Sequence, residues 1–240
     1  MPIRAVTFDL WNTLLHDGDF SNLRIALLES ILREQGFPRD RDLIRSEYIS
    51  AAKSIDLAWR NEQRNLSLAE LIESMLENLH VRLSDGSRKE VLRGFEEAIY
   101  GDVPPLVDGV EQVLRELHGR YRIGLISDTG MTPGKVIRRV LDNYGLLQHF
   151  HCTVFSDEVG FPKPHPQMFS RAIAALDEQA GAIAHVGDLL RTDIAGAKSV
   201  GMKTVWFNRN NKPNEVVNVA PDYTIMDLSE LLPLLEKMRG

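Results

Sequence analysis

The sequence has little of what cross-links a chain or holds it to a membrane or a nucleic acid. It contains one cysteine, Cys152, which excludes an internal disulfide framework and favours a buried strand residue in a reducing compartment. No apolar stretch is long enough to cross a bilayer, and the N-terminus shows no signal-peptide pattern. The 28 lysines and arginines are outnumbered by 34 aspartates and glutamates, and a net charge of -6 argues against a nucleic-acid footprint. We therefore expect a cytoplasmic protein with neither a nucleic-acid nor a membrane partner, as a monomer or a homodimer.

What the sequence does have is an ordinary globular composition and two contrasting patterns along the chain. Hydrophobic residues make up 43% and charged residues 26% of the 240 residues, which is enough for one or two domains. At the N-terminus and from about residue 103 onward, short apolar runs alternate with amphipathic stretches. The runs cover residues 3–8, 121–126, 152–155, 183–186 and 204–207. Strands that alternate with helices predict right-handed crossovers and an α/β fold with a Rossmann-like parallel sheet.

The second pattern fills residues 17–100, which have helical periodicity without a convincing strand. Turn-forming residues near positions 36, 65 and 84 divide this stretch into about four helices. We therefore predict an all-helical cap domain, residues 17–100, inserted into an α/β core formed by residues 1–16 and 101–240. A continuous single domain is the less favoured alternative, because the composition changes abruptly at both edges of the insert.

Polar side chains follow the ends of the apolar runs. In an open parallel sheet, ligands bind outside the carboxyl ends of the strands, so these side chains are expected to converge on one crevice. Taken singly, each has an ordinary structural explanation, such as capping a helix or forming a turn. As an ordered set, they predict a site. The candidates are Asp9, Ser127, Asp128, Lys163, Asp188 and Asp193.

The chemistry of these residues is consistent with a cation and a phosphate. Asp9, Asp188 and Asp193 would repel one another in a partly dry site, and a hard divalent cation such as Mg²⁺ would remove that repulsion. Lys163 supplies a compact positive charge for the carboxylates and for a phosphoryl group. The Ser127 hydroxyl and nearby backbone N–H groups are suited to hold the remaining phosphate oxygens.

Four segments of the chain resemble the motifs of the haloacid dehalogenase-like superfamily, whose members use an aspartate nucleophile. The first is the run that ends at Asp9 and continues through Trp11, Asn12 and Thr13. The others are residues 125–128, 160–164 and 187–197, and the last of these is the most specific. The helical insert lies between the first and second motifs, where many members carry a helical cap.

The resemblance implies a role for each candidate residue. Asp9 would be the nucleophile that forms a covalent aspartyl intermediate, with Ser127 and Lys163 as its catalytic partners. Ser127, Asp128 and Lys163 would bind the phosphate. Asp9, Asp188 and the backbone carbonyl of Trp11 would bind Mg²⁺, and Asp193 would support Lys163 or the metal from the second coordination shell.

The sequence departs from the superfamily's phosphatases at Trp11, where those enzymes usually carry a second aspartate. That acid protonates the leaving group and then activates water, and help of this kind is commonly worth about 10²- to 10⁴-fold in rate. An indole N–H is only a donor and cannot replace it. His16 and Asp17, which lie close by in sequence, are candidates for a partial replacement.

Three functions follow from this departure. We favour a magnesium-dependent hydrolase, a phosphatase on small phosphoesters whose leaving groups need little protonation. The first alternative is a metal-independent 2-haloacid dehalogenase, because that subgroup also lacks the second aspartate; Asp188 speaks against it, since those enzymes lack this carboxylate. The second is a catalytically weak protein that binds a phosphorylated ligand or has a regulatory role.

Overall fold

In the computed structural model, which describes residues 1–214, 216 and 218–238, the chain divides into two compact units. One unit is helical and comprises Gly18–Pro104 together with Thr129–Val140. The other comprises Met1–Asp17, Pro105–Asp128 and the chain from Leu141 onward, and it contains the β-sheet. Each unit therefore draws on segments that are distant in sequence.

The helical unit is built on four amphipathic helices. They are α1 (Ser21–Glu34), α2 (Arg41–Leu57), α3 (Leu68–Asn78) and α4 (Asp85–Glu97). The side chains of Asp40, Ser67 and Ser84 accept hydrogen bonds from first-turn N–H groups and so fix the starts of α2, α3 and α4. A π-helical turn, Ala58–Glu62, extends α2, and a 3₁₀ turn, Ala98–Gly101, follows α4.

A buried arginine links the two segments of the helical unit. Arg24, on α1, donates to the Phe95 carbonyl at 2.9 Å and to the Tyr48 hydroxyl at 3.3 Å. It also donates to Thr132 Oγ1 at 2.8 Å, and Met131 belongs to the same apolar core as Phe95. Because a buried guanidinium is tolerated only when its donors are satisfied, these bonds tie residues 129–140 to the helices.

The other unit contains one six-stranded sheet in the order β3-β2-β1-β4-β5-β6, with every neighbouring pair parallel. The strands are β1 (Ala5–Phe8), β2 (Arg122–Ser127), β3 (Cys152–Phe155), β4 (Ile183–Gly187), β5 (Lys203–Phe207) and β6 (Tyr223–Ile225). The register pairs Phe8 with Leu125 on one side and with Val186 on the other. The predicted α/β class, with its parallel sheet and a helical segment inserted after the first strand, is confirmed.

Within the described part of the chain, five helices belong entirely to this unit: α5 (Val110–Leu117), α7 (Ser156–Val159), α8 (Pro166–Leu176), α9 (Ala195–Ser199) and α10 (Leu231–Lys237). Helix α6 (Gly134–Asn143) begins in the segment assigned to the helical unit and ends in this one. Phe169 and Leu176 of α8 pack with Ile126 of β2 in one apolar cluster. Gly196 of α9 lies so close to the Phe169 ring that a Cβ there would collide with it. Among the residues that the structure describes, no helix is both long and apolar enough to span a bilayer.

Candidate active site

Asp9 lies directly after β1, at the centre of the sheet. Its backbone N–H donates to the Val186 carbonyl at 2.8 Å, which extends the pairing with β4 by one residue. A tight turn follows, in which Asn12 adopts a left-handed conformation with φ of 57°. The turn brings Thr13 back to the nucleophile candidate, and its Oγ1 donates to Asp9 Oδ2 at 3.2 Å. The Asp9 carboxylate is buried and one of its oxygens is held by this hydroxyl.

Lys163 connects two of the candidate carboxylates. Its Nζ donates to Asp9 Oδ1 at 2.5 Å and to Asp193 Oδ1 at 2.6 Å, and the side chain is only 3% exposed. Burial alone would lower the pKa of Lys163, but the negative charges of Asp193 and Asp9 outweigh it and raise that pKa well above its ordinary value. Lys163 therefore remains a cation at the centre of the site.

Asp193 is positioned by a π-helical turn, Leu190–Ile194, that follows β4. Its Oδ2 accepts a hydrogen bond from the Leu189 N–H at 2.9 Å, while its Oδ1 binds Lys163. Burial raises the pKa of Asp193. The positive charge of Lys163, together with the hydrogen bonds that the carboxylate accepts, outweighs burial and lowers that pKa below its usual range. Gly187 packs directly on this carboxylate, and any side chain there would collide with Asp193.

Asp9, Asp188 and Asp193 form one cluster, in which a carboxylate oxygen of each lies within 4.8 Å of the others. Burial, followed by the charge of Asp193, raises the pKa of Asp188 to about 7. The pKa of Asp9 is also raised well above its ordinary value, mainly by burial, despite the attraction of Lys163. Three carboxylates thus lie together, and the Lys163 ammonium is bonded to two of them, Asp9 and Asp193. Their oxygens are the hard ligands that Mg²⁺ prefers, so the donor set fits a divalent cation.

Ser127 is the last residue of β2, which lies beside β1 in the sheet, and Asp128 begins the loop that follows. Ser127 is fully buried, and its Oγ donates to the Asp128 carbonyl at 3.0 Å. Asp128 Oδ1 accepts a hydrogen bond from the backbone N–H of Lys163 at 2.9 Å. Burial raises the pKa of Asp128 to about 6, although Lys163 opposes the shift. The Asp128 carboxylate thus joins the end of β2 to the segment that carries Lys163.

Trp11 is tied to the same loop. Its indole N–H donates to the Asp128 carbonyl at 3.1 Å, across 117 positions of sequence. The side chain is half-buried. At the position of Trp11, the chain therefore has a fixed hydrogen-bond donor between the loops that follow β1 and β2.

Comparison with known proteins identifies the family of the chain. A sequence model of the haloacid dehalogenase-like hydrolases matches residues 3–201, which include every candidate residue. The chain belongs to the haloacid dehalogenase-like hydrolase family.

Individual members of the family resemble this hydrolase over its full length. Glyceraldehyde 3-phosphate phosphatase of Pyrococcus furiosus is 27% identical, with 99% of this chain and 95% of the relative covered. Phosphoserine phosphatase of Thermus thermophilus is 28% identical, with coverage of 96% and 92%. Among solved structures, 2-haloacid dehalogenase of Pseudomonas syringae pv. Tomato is 26% identical with a TM-score of 0.75, and 98% and 99% of the two chains are covered.

Two side chains of this haloacid dehalogenase-like hydrolase were missed by the sequence analysis. Thr13 has no assigned role in the first motif, yet its hydroxyl donates a hydrogen bond to Asp9. His185, in the middle of β4, is fully buried; its Nδ1 lies 2.9 Å from Thr7 Oγ1 and its Nε2 lies 3.6 Å from Asp193 Oδ1. Burial lowers the pKa of His185, so the ring is neutral near pH 7. The sequence signal that could have identified His185 is its position as a polar residue within the apolar run 183–186.

Proposed function

We propose that this hydrolase is a magnesium-dependent phosphatase that acts on small phosphoesters through an aspartyl phosphate on Asp9. The observation that carries the proposal is the pairing of Lys163 with Asp9 and Asp193 beside the carboxylate of Asp188. Asp9 lies next to the Lys163 ammonium, within a carboxylate cluster that suits a divalent cation. Phosphoryl transfer requires a positioned nucleophile and positive charge to stabilise the phosphoryl oxygens, and this arrangement supplies both. Displacement of halide from carbon requires no such cluster.

In this proposal Asp9, Asp188 and the backbone carbonyl of Trp11 would hold the Mg²⁺, and Asp193 would support Lys163 or the metal ligands. When bound, the cation supplies positive charge that offsets both the carboxylates and the phosphoryl oxygens. The hydrogen bond from Thr13 and the ammonium of Lys163 orient Asp9 for attack. Lys163 also stabilises the negative charge on the phosphoryl oxygens, assisted by Ser127 and by groups of the loop that Asp128 fixes.

The reaction then has two steps. An Asp9 oxygen forms a bond to phosphorus as the bond to the leaving-group oxygen breaks, and water later attacks the aspartyl phosphate to release inorganic phosphate. The leaving oxygen must take up a proton or leave as a stable anion. Trp11 cannot provide the proton. We therefore expect aryl and acyl phosphates to react faster than simple alkyl phosphates.

Phosphate release from 4-nitrophenyl phosphate in the presence of MgCl₂ tests the proposal. The wild-type protein should turn over, a chelator should stop it, and Asp9→Asn should reduce the rate to background because the amide is not a nucleophile. The exposed Asp142, on α6, offers a matched control, and Asp142→Asn should keep the wild-type rate. Undiminished turnover in Asp9→Asn would rule out the assigned nucleophile.

The dehalogenase alternative keeps a specific argument in its favour. The chain is similar to a 2-haloacid dehalogenase of known structure, and it has no second carboxylate at Trp11. Release of halide from a 2-haloacid without metal, in the absence of phosphate release, would establish it. Binding of phosphate analogues without either reaction would instead indicate a ligand-binding or regulatory protein.

A further inference from the structure

A small cavity lies beside Asp188 in the sheet-containing unit. Its volume is about 170 Å³, and its walls come from the turn after β1 and the loop after β5. Asn12 and Asp188 line the side nearer the candidate active site. Arg209 and Lys212 line it from the loop, so that two cations meet one carboxylate there.

The loop that carries these cations is held in place by a buried side chain. Asn208 is only 6% exposed, and its Nδ2 donates to the Lys212 carbonyl at 2.9 Å. Its Oδ1 accepts from the Lys212 N–H, also at 2.9 Å. The Asn208 N–H donates to the Ile225 carbonyl of β6 at 2.8 Å, which anchors the loop to the sheet. The Lys212 backbone is therefore fixed where it borders the cavity.

Arg209 is also supported by packing. Its guanidinium carbon lies 6.0 Å from the centre of the Phe207 ring, the last residue of β5 and another lining residue of the cavity. A guanidinium over an aromatic face is stabilised by the ring quadrupole and loses less entropy when it binds an oxyanion. In the cavity, Arg209 is thus supported by the Phe207 ring, and Lys212 has a backbone held by Asn208.

The charges that line the cavity favour an anion. Arg209 and Lys212 contribute two positive charges, whereas Asp188 belongs to the carboxylate cluster proposed to hold the cation, and a bound cation would offset its charge. With a volume of about 170 Å³, the cavity suits one small anionic group of the substrate. A carboxylate also matches the planar donor arrangement of a guanidinium.

We propose that this cavity binds a carboxylate of the substrate, so that the protein selects small phosphoesters that carry a carboxylate a few atoms from the phosphate. The proposal rests on the phosphatase function proposed above and specifies its substrate class. Arg209 and Lys212 then determine specificity, while the residues around Asp9 perform the chemistry.

Binding of two matched ligands tests the proposal without requiring turnover. 3-Phosphoglycerate and glycerol 3-phosphate differ in a carboxylate against a hydroxymethyl group. Calorimetry in MgCl₂ gives a Kd for each with protein that carries Asp9→Asn and therefore does not hydrolyse them. This parent protein should bind 3-phosphoglycerate at least about tenfold more tightly, a difference of about 1.4 kcal/mol. Arg209→Gln and Lys212→Gln should each bring the ratio of the two Kd values close to one.

Lys203→Gln is the control, because Lys203 is an exposed cation at the opposite end of β5. It should preserve both Kd values. Equal Kd values in the Asp9→Asn parent protein would overturn the proposal. An equal loss of affinity for both ligands in the Arg209 and Lys212 variants would also overturn it, since the two cations would then serve only to neutralise the carboxylate cluster. Retained selectivity without phosphate release from 4-nitrophenyl phosphate by the wild-type protein would count against the phosphatase function alone.

Discussion

Lys163 shows how much of the candidate site depends on one side chain. Its ammonium binds Asp9 and Asp193, and its backbone N–H binds Asp128. Those three carboxylates come from the loops after β1, β4 and β2, so one residue connects the ends of the three central strands. A lysine buried without such partners would lose its charge.

Trp11 makes a different connection, and it provides a test of the missing acid. We predict that Trp11→Asp raises kcat on alkyl phosphates by about tenfold or more, because a carboxylic acid can then protonate the leaving oxygen. The gain should stay below the full effect of a positioned acid, since the bond from the indole to the Asp128 carbonyl is lost as well.

Trp11→Phe is the matched control for that experiment. It removes the same hydrogen bond, keeps an aromatic ring and adds no acid, so kcat should not rise. Steady-state phosphate release from glycerol 3-phosphate and 4-nitrophenyl phosphate compares the variants, with the larger gain expected for the alkyl ester. If Trp11→Asp is no faster than Trp11→Phe, the absence of the acid is not what limits this protein.

At the scale of elements, the edge strand β6 is held in place mainly by Asp222, the residue directly before it. Asp222 accepts hydrogen bonds at Oδ2 from the Thr204 N–H at 2.9 Å and from Thr204 Oγ1 at 2.8 Å. In return, the Asp222 N–H donates to Thr204 Oγ1 at 2.9 Å. Lys198 lies 3.4 Å from the other carboxylate oxygen. A three-residue strand with two exposed residues buries little apolar surface, so this polar link secures its pairing with β5.

The same link predicts a pH-dependent contribution to stability. Burial raises the pKa of Asp222, but the bonds from Thr204 and the charge of Lys198 outweigh it and lower the pKa below the ordinary value. A carboxyl whose pKa is lower in the folded state stabilises the fold above its unfolded pKa, and that stability is lost as pH falls. Asp222→Asn should therefore cost about 1 kcal/mol at pH 7.

Urea unfolding at pH 7, 5 and 4 measures this effect. The difference in unfolding free energy between wild type and Asp222→Asn should shrink as the pH approaches about 4, the ordinary pKa of an aspartate. Asp142→Asn, at an exposed position of α6, should show little difference at any of these pH values. A difference for Asp222→Asn that stays constant across the range would contradict the assignment.

For the whole molecule, the carboxylate cluster links stability to metal binding. A ligand that binds only the folded protein stabilises it by about 2.7 kcal/mol at 100 times its Kd. For a chain of this size, we expect MgCl₂ to raise the thermal midpoint by about 5 °C or more. Sodium chloride at equal ionic strength should not reproduce the shift, and a chelator should reverse it.

Asp188→Asn supplies the decisive comparison for that prediction. It removes one ligand and one of three neighbouring negative charges. The variant should lose the response to Mg²⁺, and its midpoint in chelator should be equal to or higher than that of the wild type because repulsion is relieved. A full Mg²⁺ response in Asp188→Asn would place the cation elsewhere.

Features of the fold and the site were predictable where they depend on residues that are close together in the sequence. Five strands were predicted because each is a short apolar run, and their parallel arrangement follows from the helices between them. β6 was missed, since Tyr223–Ile225 is short and mostly exposed. His185 was missed because it lies within an apolar run, and the sequence does not show that its ring faces Asp193. The cap assignment for residues 17–100 stays a prediction, as do the roles of the site residues.

The sequence by itself determined the α/β class, the family motifs and the identity of the residues that end the central strands. These features depend on local periodicity and on residue type, and both can be obtained directly from the sequence. Only the tertiary structure decided which groups touch: that Lys163 bridges Asp9 and Asp193, that Trp11 binds Asp128, and that Asn208 fixes Lys212 beside Asp188. Most of these contacts join residues far apart in the chain, and they form because parallel strands bring their carboxyl ends to one edge of the sheet.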